Sequence, residues 1–242
     1  MPEQVAIVTG ASMGLGLAVA QDFSKRGYRV VTCARSEVEV TWDWHLVLDV
    51  SDESHVRRLV NHTEEKFDRI DVLVCNAAVY GPIGRLEDID ADAWAETIAI
   101  NLFGTMYCCR EVLPIMREQG YGKIVTLSGG GAKPKPECTA YNASKAAVVR
   151  FTEALAVELE GSGIDINAVA PGVLDTRMRI SSEPPEDPER AMEKAVELIA
   201  WLASPASDGI SGRLFSAVWD DWWLGINGLT PDDYRMRRVV PA

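Results

Sequence analysis

Short apolar segments alternate with longer amphipathic segments along most of the chain. In a parallel sheet the strands are buried on both faces and give short apolar runs, whereas the crossing helices carry an apolar stripe at 3.6-residue spacing. The alternation therefore predicts an α/β fold built from βαβ units around a mostly parallel sheet. Seven strands are expected, at Val5–Thr9, Tyr28–Cys33, His45–Asp49, Val72–Cys75, Lys123–Leu127, Asp165–Val169 and Arg213–Ala217.

The same alternation continues through almost the whole chain, and no segment has the composition of an interdomain linker. We therefore expect a single domain over residues 1–242, with an atypical tryptophan-rich tail at 218–242. Proline and acidic residues dominate Ser181–Glu189, which predicts a loop or a flexible lid. Residues 90–118 have a helical pattern that contains Gly104 and Pro114, so one straight helix is not expected there.

The charge balance excludes several classes of partner. With 36 acidic and 24 basic residues the formal net charge is -12, so the average field repels nucleic acid and anionic membranes. No apolar run reaches the ~18 residues of a membrane-spanning helix, and the first ten residues lack the features of a secretory signal. The five cysteines and three histidines have no metal-ligand spacing, which predicts reduced thiols and no metal site. A cytoplasmic protein is expected.

A glycine-rich turn joins the first predicted strand to the first predicted helix and reads TGASMGLG from Thr9 to Gly16. Glycines let the backbone approach a pyrophosphate closely, and the free N–H groups of a helix N-terminus favour an anion. Such glycines can also serve the turn alone, but the strand–turn–helix context favours a dinucleotide site. Its expected members are Gly10, Ser12, Met13, Gly14, Leu15 and Gly16.

The end of the second strand bears on the choice of cofactor. An acidic residue there would bind the 2′-hydroxyl of NAD, but the sequence has Ala34 followed by Arg35. A guanidinium can hold a 2′-phosphate by two hydrogen bonds, so Arg35 favours NADP(H), with NAD(H) as the second choice. The alternative is a surface arginine that pairs with Glu37 or Glu39.

Tyr141 and Lys145 lie four residues apart at the start of a predicted helix and therefore share one face. A free phenol has a pKa of about 10 and is a poor base at neutral pH. A neighbouring ammonium and an oxidised nicotinamide would stabilise the phenolate and lower that pKa. The same spacing also arises where a tyrosine simply packs on a lysine stem.

Several motifs occur in one order along the chain, namely TGxxxGxG, Asn76-Ala77-Ala78, Asn101, Ser128, YxxxK and Pro171-Gly172. In this order they resemble the short-chain dehydrogenase/reductase family, and the resemblance runs from about Gln4 to Ala217. It implies a doubly wound Rossmann fold with a mostly parallel seven-stranded sheet flanked by helices. It also implies reversible hydride transfer between a nicotinamide cofactor and a small-molecule carbonyl or alcohol, in a homodimer or homotetramer.

The resemblance assigns roles to individual residues. Tyr141 would be the general acid/base, and Lys145 would lower the pKa of that tyrosine and bind the nicotinamide ribose. Asn101 would hold a water that links Lys145 to solvent, and Ser128 would polarise and orient the substrate carbonyl. The other implied cofactor contacts are Asp49 and Val50 at the adenine, Asn76 and Ala77, Pro171 and Gly172, and Leu174 and Thr176 at the carboxamide.

The position of the catalytic serine depends on how the chain is aligned with the family. Aligning on the fifth strand puts Gly129 in that place, whereas counting back thirteen residues from Tyr141 gives Ser128. We assign the role to Ser128, because it is the only serine between Cys109 and Ser144.

Three further departures from the family pattern concern Ala78, the second crossover and the C-terminus. Ala78 stands where a glycine is common, and Ser36–Trp44 is too short for the helix usually found before the third strand. In place of an Asp-Gly-Gly ending, the chain has Trp219, Trp222 and Trp223. This tail is expected either to pack over the last strand and a neighbouring subunit or to border the substrate pocket.

Two functions remain in competition. The leading one is an NADP(H)-dependent carbonyl reductase or alcohol dehydrogenase, and the alternative is a catalytically silent NADP(H)-binding sensor or scaffold on the same fold. The set of Tyr141, Lys145 and Asn101 favours the enzyme, because a binding module has no evident need of a proton relay. The fold does not identify the substrate, because the substrate walls come from variable loops.

Overall fold

The computed structural model describes residues 3–39, 42–129, 135–176, 178 and 185–222. Within this part of the chain, strands in the order β3-β2-β1-β4-β5-β6-β7 form one sheet, and every pairing is parallel. The strands are β1 (Val5–Thr9), β2 (Arg29–Ala34), β3 (Trp44–Val47), β4 (Val72–Cys75), β5 (Gly122–Leu127), β6 (Ile164–Ala170) and β7 (Leu214–Ser216). All seven predicted strands are confirmed, because central strands covered on both faces give apolar runs that sequence alone identifies.

Helices cover both faces of the sheet. On one face, α1 (Gly14–Lys25) and α6 (Pro188–Leu202) bury residues such as Phe23 and Leu198 against the strands. On the other face, α2 (Glu53–Phe67), α4 (Gly104–Gln119) and α5 (Thr139–Glu158) bury a second apolar cluster, with α3 (Ala91–Ile98) preceding α4 along the chain. These two cores confirm the doubly wound α/β architecture that the sequence predicts.

The strand order places a crevice at the centre of the sheet. β1 pairs with β2 on one side and with β4 on the other, so the direction of winding reverses between β1 and β4. Open α/β sheets bind ligands at such a switch point, outside the carboxyl ends of the strands. The turns that follow β1, β4, β5 and β6 therefore meet around one crevice.

The predicted break in the helical segment 90–118 is a π turn. α3 and α4 are joined without a loop by a π-helical turn at Ala99–Phe103, and Pro114 is accommodated inside α4. π turns of this kind occur frequently at functional sites. This one contains Asn101, whose side chain is described below.

The connection between β2 and β3 contains no helix in its described residues, 35–39 and 42–43, as the short spacing predicts. The acidic, proline-rich segment 181–189 is only partly described, since Ser181–Pro184 lie outside the described residues. Its loop prediction is wrong at the end, because Asp187 caps the N-terminus of α6 and Pro188 occupies the first turn. Proline suits that position, where no helical N–H bond is lost.

Candidate active site

A cleft of ≈ 1230 Å³ opens at the carboxyl ends of the central strands. Of the site residues predicted from the sequence, only Gly16 and Asn101 do not line it. The predicted residues that line the cleft are Gly10, Ser12, Met13, Gly14, Leu15, Arg35, Asp49, Val50, Asn76, Ala77, Ser128, Tyr141, Lys145, Pro171, Gly172, Leu174 and Thr176.

The glycine-rich turn leaves no room for side chains at two of its glycines. Gly10 has φ +66, and a Cβ there would lie 2.6 Å from the Cα of Ala77. At Gly16, a Cβ would lie 2.5 Å from the carbonyl oxygen of Gly10. Gly16 is thus needed for close packing of α1 against the turn, which explains why it does not line the cleft.

Asn76 ties this turn to the end of β4. Its side-chain amide donates hydrogen bonds to the carbonyl oxygens of Thr9 and Gly10, at 3.0 and 3.1 Å. The hydroxyl of Thr9 in turn accepts from the backbone N–H groups of Asn76 and Ala77. The first turn of α1 has no capping side chain and no acidic residue among the described residues. Its N–H groups therefore remain available to an anion such as a pyrophosphate.

Arg35 lies exposed at the far end of the cleft. Among the described residues, which include Glu37 and Glu39, no carboxylate lies within ion-pair distance of its guanidinium. The surface pairing considered as the alternative is therefore not observed. Asp49 lines the same end, and its carboxylate accepts hydrogen bonds from the N–H and hydroxyl of Ser51 at 2.9 and 2.8 Å.

Tyr141 and Lys145 project from the first turns of α5 into the cleft, and both are almost completely buried. The ammonium of Lys145 donates a 2.7 Å hydrogen bond to the carbonyl oxygen of Leu127 and lies 5.9 Å from the centre of the Tyr141 ring. Burial lowers the pKa of Lys145 to about 8.

The predicted lowering of the Tyr141 pKa does not occur in the protein by itself. Burial, together with the neighbouring phenol of Tyr80, raises the pKa of Tyr141 to about 12. The reason is geometric, since the Lys145 ammonium is held by Leu127 rather than by the phenol oxygen. Tyr141 is therefore a neutral phenol at pH 7, which is the protonation state of a proton donor.

Asn101 lies behind the cleft and joins two of its walls. Its side chain accepts a hydrogen bond from the N–H of Val79 at 2.8 Å and donates to the carbonyl oxygen of Val79 at 2.9 Å. It also donates to the hydroxyl of Ser144 at 2.9 Å, and that hydroxyl donates to the carbonyl oxygen of Tyr141. Asn101 thereby fixes the loop after β4 relative to α5. Its predicted role in holding a water stays a prediction.

The backbone at position 129 lies against the hydroxyl of Tyr141. A Cβ at Gly129 would overlap the hydroxyl oxygen of Tyr141 and lie 2.9 Å from its Cζ. Ser128 lines the cleft and is buried, and its N–H donates to the carbonyl oxygen of Val169 at 2.8 Å. No hydrogen bond joins its hydroxyl to Tyr141 within the described part of the chain. The assignment of the carbonyl donor to Ser128 stays a prediction.

Two residues that sequence reasoning did not assign complete this end of the cleft. The ring of Tyr80 stacks on Tyr141 with centroids 4.2 Å apart and planes inclined by 6°. The ammonium of Lys135 donates a 2.9 Å hydrogen bond to the Tyr80 hydroxyl, and both residues line the cleft. No local motif marks either residue. Their position after β4 and after β5, at the switch point, is the only signal in the sequence.

The start of the C-terminal tail is described only as far as Trp222. Val218 contacts the space that a Cβ of Gly172 would occupy, and Trp219 lines the mouth of the cleft. Trp222 packs near Trp201 of α6, with ring centroids 5.8 Å apart. Trp219 thus lies at the cleft, whereas Trp222 packs on a helix. Residues 223–242 lie outside the described residues, so the choice between the substrate pocket and a neighbouring subunit stays a prediction.

All five cysteines are buried and free. Burial raises the pKa of the Cys33 thiol, and hydrogen bonding among neighbouring thiols together with burial raises the pKa of Cys75 and Cys108, which disfavours the reactive thiolate. In the described part of the chain, no three His, Cys, Asp or Glu side chains are grouped closely enough to hold a metal ion. None of the described helices is long and apolar enough to cross a membrane.

Comparison with known proteins identifies the family. The model of a family described as short chain dehydrogenase matches residues 4–187. The chain is 36% identical over 179 residues to 2-dehydro-3-deoxy-L-rhamnonate dehydrogenase (NAD(+)) from a Sphingomonas species, covering 71% of this chain and 72% of that protein. It is 34% identical over 235 residues to cis-4-hydroxycyclohexanecarboxylate dehydrogenase from Sinomonas cyclohexanicum, covering 88% of this chain and 94% of that protein.

A solved structure of actinorhodin polyketide ketoreductase with NADPH superposes with a TM-score of 0.78 at 29% identity, covering 88% of this chain and 95% of that one. The chain therefore belongs to the short-chain dehydrogenase/reductase family of oxidoreductases, which bind a nicotinamide cofactor.

Proposed function

We propose that this member of the short-chain dehydrogenase/reductase family is an NADP(H)-dependent oxidoreductase that acts on a small-molecule carbonyl or alcohol, with Tyr141 as general acid/base. The observation that carries the proposal is the buried pair of Tyr141 and Lys145, which faces a cleft that begins at an uncapped, glycine-lined helix N-terminus. The cofactor, when bound, supplies or accepts the hydride. The protein supplies the proton and holds the cofactor and the substrate in position.

In the reducing direction, the substrate carbon gains a hydride while Tyr141 gives its phenolic proton to the substrate oxygen, so that the carbonyl becomes an alcohol. The raised pKa of Tyr141, about 12, keeps this proton in place at neutral pH until charge develops on the substrate oxygen. Lys145 stabilises the phenolate that is left and contacts the nicotinamide ribose. Asn101 holds the water through which the proton is replaced, and Ser128 orients the carbonyl.

The preference for NADP(H) over NAD(H) is supported by Arg35, which has no carboxylate partner among the described residues and lines the adenine end of the cleft. A guanidinium can hold a 2′-phosphate by two charge-assisted hydrogen bonds. The other cofactor contacts follow the sequence assignment except at Gly16, which packs behind the turn. They are Gly10, Ser12, Met13, Gly14 and Leu15 at the pyrophosphate, Asp49 and Val50 at the adenine, and Asn76, Ala77, Pro171, Gly172, Leu174 and Thr176 toward the nicotinamide.

The alternative of a silent NADP(H) sensor is not favoured. A sensor needs the glycine turn and Arg35 but not a buried tyrosine beside a buried lysine, whose charge is costly to bury. The named relatives act on compounds that carry a carboxylate. Small oxo acids are therefore the first substrates to try with this chain.

We also propose a cytoplasmic homodimer or homotetramer. A groove of about 450 Å³ lies between α4 and α5 and is lined in part by Leu113 and Phe151. Phe103, just before α4, and Val157, on α5, are exposed apolar residues. A second copy of the chain would cover this apolar surface, and light scattering after gel filtration would report the mass.

The experiment that tests the proposed function is a spectrophotometric screen for NADPH oxidation over oxo acids, ketones, quinones and keto sugars. Turnover with any carbonyl, lost in Tyr141→Phe, supports the enzyme. Tight NADPH binding without turnover on any carbonyl would instead support the sensor.

A further inference from the structure

The wall of the cleft next to Tyr141 is a stack of two phenol rings. Tyr80 lies parallel to Tyr141, with centroids 4.2 Å apart. Tyr80 follows β4 and is held in place because its neighbour Val79 makes two hydrogen bonds with Asn101. A substrate whose oxygen meets the Tyr141 hydroxyl therefore continues along the wall formed by Tyr80.

Lys135 stands at the outer edge of this wall. Its ammonium donates to the Tyr80 hydroxyl at 2.9 Å and lies 5.6 Å from the centre of the Tyr80 ring, so it lies beyond the hydroxyl end of that ring. The side chain is half-buried and lines the cleft. Two donor hydrogens of the ammonium remain beyond the one given to Tyr80.

No carboxylate within the described residues forms an ion pair with Lys135, although acidic residues exceed basic ones by 12 in this chain. Lysines are seldom withdrawn from water without a partner, because a desolvated ammonium is costly. Elsewhere in the chain, the buried ammonium of Lys123 has two carboxylate partners, Asp165 and Asp208, each at 2.7 Å. Lys135 is less deeply buried than Lys123, but its ammonium lines the cleft without a carboxylate partner among the described residues.

The backbone around Lys135 is anchored, so its charge has a defined place relative to the reacting group. The carbonyl oxygen of Lys135 accepts a 2.7 Å hydrogen bond from the side chain of Asn142, which directly follows Tyr141 on α5. The carbonyl oxygen of Glu137 accepts a 2.9 Å bond from the N–H of Gly84 in the loop after Tyr80.

We propose that Lys135 binds a carboxylate of the substrate, which makes the substrate an oxo acid or hydroxy acid whose carbon skeleton lies along the Tyr80 ring. The inference rests on the proposed function, because it uses Tyr141 as the point where the substrate oxygen binds. The Lys135 ammonium completes its hydrogen bonds on the carboxylate, and the Tyr80–Tyr141 stack covers the apolar part.

The kinetic test compares oxo acids with their uncharged amides, for example 4-oxocyclohexanecarboxylate with 4-oxocyclohexanecarboxamide, and 5-oxohexanoate with its amide. The unmodified enzyme should prefer each acid in kcat/KM. Lys135→Met should lower kcat/KM for the acids roughly 10- to 100-fold, as expected from loss of one charge-assisted hydrogen bond, and should change the amides little. Lys135→Arg should retain part of the preference. The matched control Lys25→Met, an exposed position at the end of α1, should behave as the unmodified enzyme.

A binding test separates failure of this inference from failure of the proposed function. Calorimetry on the NADPH-loaded protein should show that cyclohexanecarboxylate binds at least tenfold more tightly than cyclohexanecarboxamide, and that Lys135→Met removes the difference without changing NADPH affinity. Tighter binding of the carboxylate than of the amide, without turnover on any carbonyl, would support the anion site and contradict the proposed reductase function. Turnover with equal use of acids and amides, or a Lys135→Met enzyme that loses both equally, would overturn the anion site.

Discussion

Lys145 should make the folded protein less stable at neutral pH while being required for activity. Its ammonium is only 3% exposed, and burial lowers its pKa from the ordinary 10.5 to about 8. Near pH 7 the native protein therefore carries a buried positive charge, which donates a hydrogen bond to the carbonyl oxygen of Leu127. Replacement by methionine keeps an unbranched side chain of similar length and removes the charge.

The sign and size of the effect follow from the pKa of Lys145. Between pH 8 and pH 10.5 the unfolded chain holds the Lys145 proton more tightly than the native protein does, so stability rises with pH through this window. The shift corresponds to about 3 kcal/mol, at about 1.4 kcal/mol per pKa unit. Loss of the hydrogen bond to Leu127 offsets about 1 kcal/mol. Lys145→Met should therefore be about 2 kcal/mol more stable than the parent at pH 7, which for a chain of this size raises the Tm by roughly 4–8 °C.

The measurement is unfolding of the cofactor-free protein, followed by circular dichroism at several pH values from 7 to 11. The gain in the free energy of unfolding of Lys145→Met over the parent should shrink as the pH rises above 8. Above pH 10.5 the variant should be about 1 kcal/mol less stable than the parent. Lys25→Met, at an exposed position, is the matched control and should follow the parent at every pH. A difference between Lys145→Met and the parent that does not change with pH would refute the reasoning, as would a less stable variant at pH 7.

The remaining predictions concern catalysis and cofactor choice. Tyr141→Phe should lose about 10²–10⁴-fold in turnover while binding NADPH normally, measured by NADPH oxidation and fluorescence titration, and near-parental turnover would show that another group is the acid. Arg35→Ala should weaken NADPH binding by about 1.5–3 kcal/mol and leave NADH binding unchanged in calorimetry, whereas equal affinities for the two cofactors in the parent would contradict the assigned preference. Ser128→Ala should lower turnover by roughly 10²-fold if its hydroxyl orients the carbonyl. Gly129→Ala should lower turnover by a similar factor although Ser128 is unchanged, because the added Cβ would displace the Tyr141 hydroxyl. Full activity in Ser128→Ala would remove that serine from the site.

The sheet could be predicted from the sequence because parallel strands under two helical layers are apolar along their whole length. Val5–Thr9 and Val72–Cys75 have the predicted bounds, and both are buried at every position. At the edge of the sheet the prediction His45–Asp49 was displaced from the observed Trp44–Val47. That strand is only partly buried, so its sequence pattern is weaker.

The glycine turn and the Tyr141–Lys145 pair could also be predicted, because their chemistry depends on residues that are neighbours in sequence. The contact between Lys135 and Tyr80 could not, because it joins residues 55 positions apart through the fold. The choice between Ser128 and Gly129 likewise depends on how the chain turns as it leaves β5, since adjacent residues at a strand end point in different directions. A count of residues does not contain that information.

The π turn at Ala99–Phe103 gives this chain a single-residue insertion that is already absorbed into a helix. The wider π turn takes up one extra residue, so excision of one residue here would restore an ordinary α turn and leave both flanking helices intact. It would also change where Asn101 lies on the turn and break the hydrogen bonds of its amide to Val79 and Ser144. The same edit would thus be mild for the backbone and severe for the alignment of the two walls that hold the stacked phenols.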